Sequence, residues 1–340
     1  MADLISSWSK VETVPPSHCI PLHERPLDPV LIAKEIPVID LERAKGEERA
    51  VIVQQLRNAC EEYGFFQVVN HGVPEDLMKE AMKVYQEFFS LPVEEKANYA
   101  KEATNNTARG AATLYSSNAK HYDSEEHRYW RDVLEHSCNV DGEDKKTWPH
   151  NPPRYREVIG SYSAEVRKLS KIILGLVSEG LGLEAGYFEK DLGQRMLVNH
   201  YPACPDPSST LGVGGHCDPN LITIIQQEVY GLQILKDEKW IGVEPIPNAF
   251  IVNSGLPLTV ISNGKLASVA HRVVTNTTQP RTSIGTFICP EDIVEPAKSL
   301  VDSCNPPLFK SFKWGEEFMP HYLSKKSVYH AALEPFKIEA

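Results

Sequence analysis

The chain has no apolar run long enough to span a bilayer, and Met1 to Lys10 lack the charged start and apolar stretch of a secretory leader. The expectation is a cytosolic protein with no membrane partner. The cysteines lack any pattern. There are seven, Cys19, Cys60, Cys138, Cys204, Cys217, Cys289 and Cys304, an odd count with no C-x-x-C. They read as reduced thiols and supply neither a disulfide framework nor a zinc-ribbon site. Concentrated positive charge is missing too. The formal net charge is −11, and basic residues come only in short pairs such as Lys145-Lys146 and Lys325-Lys326. Nucleic acids and anionic lipid both need a basic face, so a small molecule is the expected partner, and the chain is expected to be a monomer. There is no internal repeat, no low-complexity linker and no composition break that marks a domain boundary.

What is present is an ordinary globular composition over 340 residues, enough for a sizeable core. The first thirty-five residues are polar and proline-bearing and read as a loosely packed arm. Ile36 to Leu41 and Phe65 to Val69 read as strands. Between them Ile52, Leu56, Ala59 and Tyr63 fall on one helical stripe that Gly64 ends. A second helix opens after Pro74, with Glu75 and Asp76 in its positive first turn, and stops at Leu91-Pro92. Residues 100 to 125 have no period and read as a loop or lid over a pocket. From Pro153 the positions Tyr155, Ile159, Tyr162, Val166, Leu169, Ile173 and Leu176 make a long core stripe.

Eight short strands then follow at close spacing: 196–201, 221–226, 232–235, 240–243, 250–253, 258–262, 269–275 and 283–289. With Gly, Pro and Asn between them they predict an α+β fold whose main core is a double-sheet jelly roll. Asn263-Gly264 predicts a hairpin turn before the seventh strand. Phe312, Trp314, Phe318 and Tyr322 predict a helix that packs on the barrel or closes its mouth. The organisation expected is an integral helical and mixed region over 1–190, a jelly-roll core over 191–300 and a C-terminal helix and tail over 301–340.

The chemistry-bearing residues sit inside the barrel segment. His216 and Asp218 are two apart, so in extended backbone both leave the same face, and Cys217 between them turns to the other. His271 lies in a later stretch of strand character and can fold back beside them. Two imidazoles and one carboxylate on one face leave metal positions open, the pattern of non-haem Fe(II) oxygenases. H-x-D alone is common by chance, and its weight comes from a second pair. Arg281 and Ser283, again two apart, suit a clamp on a ligand carboxylate, since a buried Arg left without an anion costs about 3–5 kcal/mol. A structural salt bridge to an internal acid is the alternative.

His216-x-Asp218, His271 and Arg281-x-Ser283 resemble the signature of the plant 2-oxoglutarate- and Fe(II)-dependent dioxygenases. The resemblance covers nearly the whole chain. It includes Ile36-Pro37-Val38-Ile39-Asp40-Leu41, the run Tyr63 to Pro74, Phe88 to Pro92, and Asn199 to Pro207. It implies a double-stranded β-helix, with Fe(II) held by His216, Asp218 and His271. It also implies 2-oxoglutarate as co-substrate on Arg281 and Ser283 with help from Asn199 and Tyr201, O2 as oxidant and ascorbate as reductant. His200 stands where the family has Tyr, between those two helpers. The implied reaction is hydroxylation of a small specialised metabolite, with succinate and CO2 as co-products.

Within that family, Gly255-Leu256-Pro257-Leu258 and the runs 205–212 and 220–227 look most like hyoscyamine 6-hydroxylases, which implies an alkaloid substrate. Flavone synthase and salicylate hydroxylase types, acting on a flavonoid or phenolic acid, come next. Phe287 and Leu256 are the candidate substrate contacts. A non-catalytic small-molecule binder on the same barrel is the reading of another class, and a closed zinc site would need a fourth ligand.

Overall fold

Two β-sheets face one another across a cavity in the computed structural model, which describes residues 4–8, 11–26, 32–33, 36–100, 111–117, 127–138, 143–188, 192–324 and 330–339. The first half runs β1 (Ile32–Ala33), β2 (Val38–Asp40), α1 (Arg49–Glu62), β3 (Phe65–Val69), α2 (Glu75–Ser90), α3 (Val93–Lys96), β4 (Thr113–Ser116), β5 (Asp132–Ser137) and α4 (Tyr155–Leu181). Then come β6 (Gly193–Tyr201), β7 (Val213–His216), β8 (Ile222–Gln227), β9 (Leu232–Lys236), β10 (Lys239–Val243) and β11 (Phe250–Ser254). The chain ends with α5 (Leu256–Ile261), β12 (His271–Val273), β13 (Arg281–Cys289), β14 (Ile293–Val294), β15 (Phe312–Lys313) and α6 (Met319–Ser324).

The large sheet has the order β2-β3-β11-β8-β13-β6-β5-β4 and the smaller one β1-β10-β9-β12-β7, a double-stranded β-helix. Four of the eight large-sheet strands, β2 to β5, come from the N-terminal half. β13 and β6 pair without a break from Arg281 opposite Tyr201 to Cys289 opposite Gly193. Alternation then divides their residues. The even positions Met196, Val198, Ile284 and Ile288 are buried in the core shared with α1, α2 and α4. The odd positions face the cavity. All seven stripe residues of α4 are at most 1% exposed, each worth about 1.5–3 kcal/mol of burial if aliphatic or aromatic. Gly64 ends α1 at φ +59°, where an added Cβ would lie 2.8 Å from the Ala267 carbonyl oxygen. Among the described residues no helix is long and apolar enough to cross a membrane.

Several expectations are corrected. The segment 258–262 is not a strand but lies in the helix α5 and its cap. Leu256, Pro257, Leu258, Val260 and Ile261 are all buried, so no amphipathic period marks the helix. Asn263-Gly264 caps it instead of turning a hairpin. Asn263 N–H donates to Val260 O and Gly264 N–H to Thr259 O, with φ of 50° and 80°, a Schellman motif.

The N-terminal arm is anchored rather than loose: Leu4, Ile5, His18 and Ile20 are at most 2% exposed. The buried Asp132 carboxylate accepts the N–H groups of Ile5 (3.0 Å) and Ser6 (2.7 Å). Within 100–125, Thr113–Ser116 is the edge strand β4, while 101–110 and 118–126 lie outside the described residues. In the tail Phe312 belongs to β15, and the helical stretch begins at Trp314, a π-helical turn (Trp314–Phe318) leading into α6.

Candidate active site

β7 and β12 are antiparallel neighbours in the smaller sheet, with His216 directly opposite His271. This register brings the imidazoles to a centroid distance of 4.2 Å. Asp218, just past the end of β7, places Oδ1 3.4 Å from His216 Nε2 and 3.6 Å from His271 Nε2. The three donor atoms lie within 4.8 Å of one another. Each ring is oriented through its other nitrogen: His216 Nδ1 lies 2.9 Å from Gly214 O and His271 Nδ1 3.3 Å from Val269 O. Since a carbonyl only accepts, Nδ1–H donates and Nε2 keeps its lone pair for a metal. Phe65 stands edge-on to His271 at 5.2 Å.

Asp218 is divided in the same way. Its Oδ2 accepts from Thr223 Oγ1 (2.5 Å) and Asn253 Nδ2 (2.8 Å), which leaves Oδ1 toward the histidines. Asn220 Nδ2 donates to Thr223 Oγ1 at 3.0 Å, so the Thr223 hydroxyl proton is directed at Asp218. Burial opposes ionisation of Asp218, but the two histidines and the Thr223 hydroxyl together hold its carboxyl well below the usual carboxylate range. Burial, and then the neighbouring His216, push His271 down to about 4, so it is neutral and able to ligate. Two imidazole nitrogens and one carboxylate oxygen converging on one point fit Fe(II). The Cys217 thiol turns away toward Ser268 O.

The second pair lies across the cavity on β13. Arg281 is 2% exposed. It donates Nε–H to Val229 O (2.9 Å) and Nη2–H to Gln227 Oε1 (2.5 Å), both neutral acceptors. Among the described residues it has no carboxylate within 4.0 Å. Its Nη1 lies 3.4 Å from Ser283 Oγ, and its Cζ stands 4.9 Å from the centre of the Tyr201 ring. Register places Tyr201 opposite Arg281 and Asn199 opposite Ser283. Asn199 Oδ1 accepts from Arg131 Nη1 at 2.9 Å. A buried guanidinium facing a cavity without an internal anion fits a dicarboxylate ligand.

One cavity of about 600 Å³ contains all seven of these residues. Phe287 lines it too, two sheet rows beyond Ser283. Leu256 does not: it is 0% exposed in the helical core. Only its backbone touches the site, its N–H donating to Asp218 O at 2.9 Å. Gly255 before it is required, because a Cβ there would fall on the Asn220 carbonyl oxygen. The reading of Leu256 as a substrate contact is therefore corrected.

Sequence reasoning missed Thr223, Asn253 and a polar wall made by Tyr115, Glu135 and Arg195. Glu135 pairs with Arg195 and accepts Tyr115 Oη at 3.0 Å. Alternation could have found Arg195, at i−4 and i−6 from Asn199 and Tyr201 on one strand face. Trp314 and Tyr322 from the tail complete the cavity.

Comparison with known proteins agrees with this geometry. The family described as the 2OG-Fe(II) oxygenase superfamily matches residues 192–290, and the family described as non-haem dioxygenase in morphine synthesis N-terminal matches 36–155. Hyoscyamine 6-dioxygenase of Hyoscyamus niger is 46% identical over 349 aligned residues, covering 99% of both chains. Flavanone 3-dioxygenase 2 of Oryza sativa subsp. japonica is 40% identical, covering 96% of this chain and 95% of its own. The crystal structure of JOX2 in complex with 2OG, Fe and JA superposes with a TM-score of 0.86 at 33% identity, covering 98% of this chain and 96% of that one. The chain belongs to the 2OG-Fe(II) oxygenase superfamily and is a dioxygenase that uses Fe(II), 2-oxoglutarate and O2.

Proposed function

We propose that the enzyme hydroxylates a small plant specialised metabolite bearing a basic nitrogen, an alkaloid-like amine. The observation that carries the reaction is that three converging donors and a buried arginine share one cavity. Fe(II), when bound, supplies the redox chemistry that couples decarboxylation of 2-oxoglutarate to succinate and CO2 with insertion of the other oxygen atom of O2 into a substrate C–H bond. His216, Asp218 and His271 hold the metal, and Thr223 and Asn253 keep the Asp218 oxygen aimed. Arg281 and Ser283 bind the far carboxylate of 2-oxoglutarate, Tyr201 walls it, and Asn199 borders it. Phe287 supplies an apolar face for the substrate. The seven cysteines are all free, which supports a reducing compartment such as the cytosol.

Two observations support the amine. One is the 46% identity to hyoscyamine 6-dioxygenase along the whole chain. The other is Glu135, 6% exposed on the cavity wall, whose carboxylate is paired with Arg195 and accepts from Tyr115 Oη, so that a cationic nitrogen would compete with Arg195 for it. A flavonoid or phenolic acid is the second reading, favoured by the aromatic rings of Tyr115, Phe287 and Trp314 around the same space. The test is succinate formation with Fe(II), ascorbate and 2-oxoglutarate across tropane alkaloids, flavonoids and phenolic acids. Turnover of amines that Glu135→Gln weakens about tenfold or more supports the first reading. Turnover of flavonoids alone moves the function to the second, and tight binding without succinate makes the protein a binder.

A further inference from the structure

Three consecutive carbonyls of the loop that carries Asp218 are each hydrogen-bonded. Tyr322 Oη donates to Cys217 O at 3.0 Å, Leu256 N–H to Asp218 O at 2.9 Å, and Trp314 Nε1–H to Pro219 O at 2.6 Å. Two of the donors come from the C-terminal helical segment, 105 and 95 residues away in sequence. A helix that only covered a cavity would need apolar contact. Here two polar groups are aimed at the carbonyls on either side of one residue.

The carbonyl of Cys217 belongs to the peptide plane entering Asp218, so a bond to it restrains rotation about the Asp218 N–Cα bond. The carbonyl of Asp218 belongs to the plane leaving it, which Leu256 restrains. The carbonyl of Pro219 belongs to the plane that carries Asn220, whose side-chain amide directs Thr223 toward Asp218 Oδ2. With both backbone planes and the far oxygen held, Oδ1 has one position left, between His216 and His271.

We propose that Trp314 and Tyr322 are positioning residues for the metal site, holding Asp218 through its flanking carbonyls from the C-terminal helix. The proposal rests on Asp218 as a metal ligand. It is tested by titrating Mn(II) into the apoprotein and following free Mn(II) by electron paramagnetic resonance. Tyr322→Phe keeps the ring and removes only the hydroxyl, and its Mn(II) affinity should fall about tenfold, with an unchanged far-ultraviolet circular dichroism spectrum. Trp314→Phe should fall similarly.

Phe318→Leu is the control. This residue is 0% exposed in the same segment, stacked on Phe312, and donates nothing to the loop. It should lower the thermal midpoint and leave Mn(II) affinity at the wild-type value. Wild-type affinity in both Tyr322→Phe and Trp314→Phe overturns the proposal. So does an equal loss in Phe318→Leu, because the helix would then act by packing alone. Asp218→Ala should abolish binding, and if it binds Mn(II) like the wild type, the ligand assignment itself has failed.

Discussion

Replacing Arg281 by alanine should separate co-substrate binding from metal binding. Two of the guanidinium's N–H directions are used on Val229 O and Gln227 Oε1, while the Nη1 edge beside Ser283 faces the cavity. A carboxylate bound at that edge and on the Ser283 hydroxyl receives charge-assisted bonds worth about 1.5–3 kcal/mol each. Arg281→Ala removes the arginine's bond and leaves that of Ser283, a loss of about 1.5–3 kcal/mol, or about 10- to 10²-fold in affinity for 2-oxoglutarate. His216 and His271 belong to the opposite sheet and Asp218 lies just past the end of β7, so Mn(II) affinity measured without 2-oxoglutarate should not change. The assay is anaerobic calorimetric titration of 2-oxoglutarate into Mn(II)-loaded protein, with a separate Mn(II) titration. An affinity for 2-oxoglutarate within about threefold of the wild type would refute the clamp. A parallel loss of Mn(II) binding would show that the substitution damaged the barrel.

Thr223→Val deletes the donor to Asp218 Oδ2 and should weaken Mn(II) binding by about tenfold or more, with Asn253→Leu acting in the same direction; unchanged titrations would show that Oδ2 needs no partner. His136 and His200 are held neutral, each at about 4 against an ordinary 6.5, both mainly by burial, with Lys96 a second cause at His200. The unfolded chain therefore binds more protons between those values, and folding stability should fall as pH drops from 6.5 toward 4, by about 1.4 kcal/mol per unit for each histidine. Urea midpoints that stay flat from pH 7 to pH 5 would contradict this. Leu256→Ala should cost about 2–5 kcal/mol of stability and leave substrate KM alone, whereas an altered KM at full stability would return Leu256 to the substrate wall.

The residues that were legible in the sequence are those whose spacing the backbone itself imposes. Two ligands at i and i+2, and a cation and hydroxyl at i and i+2, had to share faces if the backbone was extended, and the pairing of His271 with His216 then closed the triad. The stripe on α4 was as plain, because one side of that helix meets the core and the other meets solvent. α5 was not legible because it is buried on every side, and burial without an exposed face erases the period. Asn263-Gly264 misled for a definite reason. A type I′ hairpin turn requires two consecutive left-handed residues and a helix cap at least one, and Asn263 and Gly264, both left-handed here, satisfy either. β5 escaped because each of its faces mixes polar residues with a single aliphatic one, Leu134 beside Asp132 and His136, and Val133 beside Glu135 and Ser137. Asp132 ties down the N-terminal arm and His136 bonds Tyr155, while Glu135 turns to the cavity.

The substrate wall was hidden for a different reason, which lies in the sheet register. On β13 the odd residues Arg281, Ser283, Gly285, Phe287 and Cys289 all line the cavity, opposite Tyr201, Asn199, Leu197, Arg195 and Gly193 on β6. Each row lies about 7 Å from the next, so the clamp at Arg281 and the ring of Phe287 are about 20 Å apart along one strand. Spacing in sequence says that these side chains share a face, but only the pairing of β12 with β7 in the other sheet brings the His216, Asp218 and His271 cluster to the same cavity. A one-residue slip of β13 against β6 would turn Arg281 and Ser283 into the core now held by Ile284 and Ile288, leaving a guanidinium buried among apolar side chains of the helices. The slipped sheet would lose its core and the cavity face of Arg281 and Ser283 together, so the register that folds the sheet is also the one that forms the candidate site.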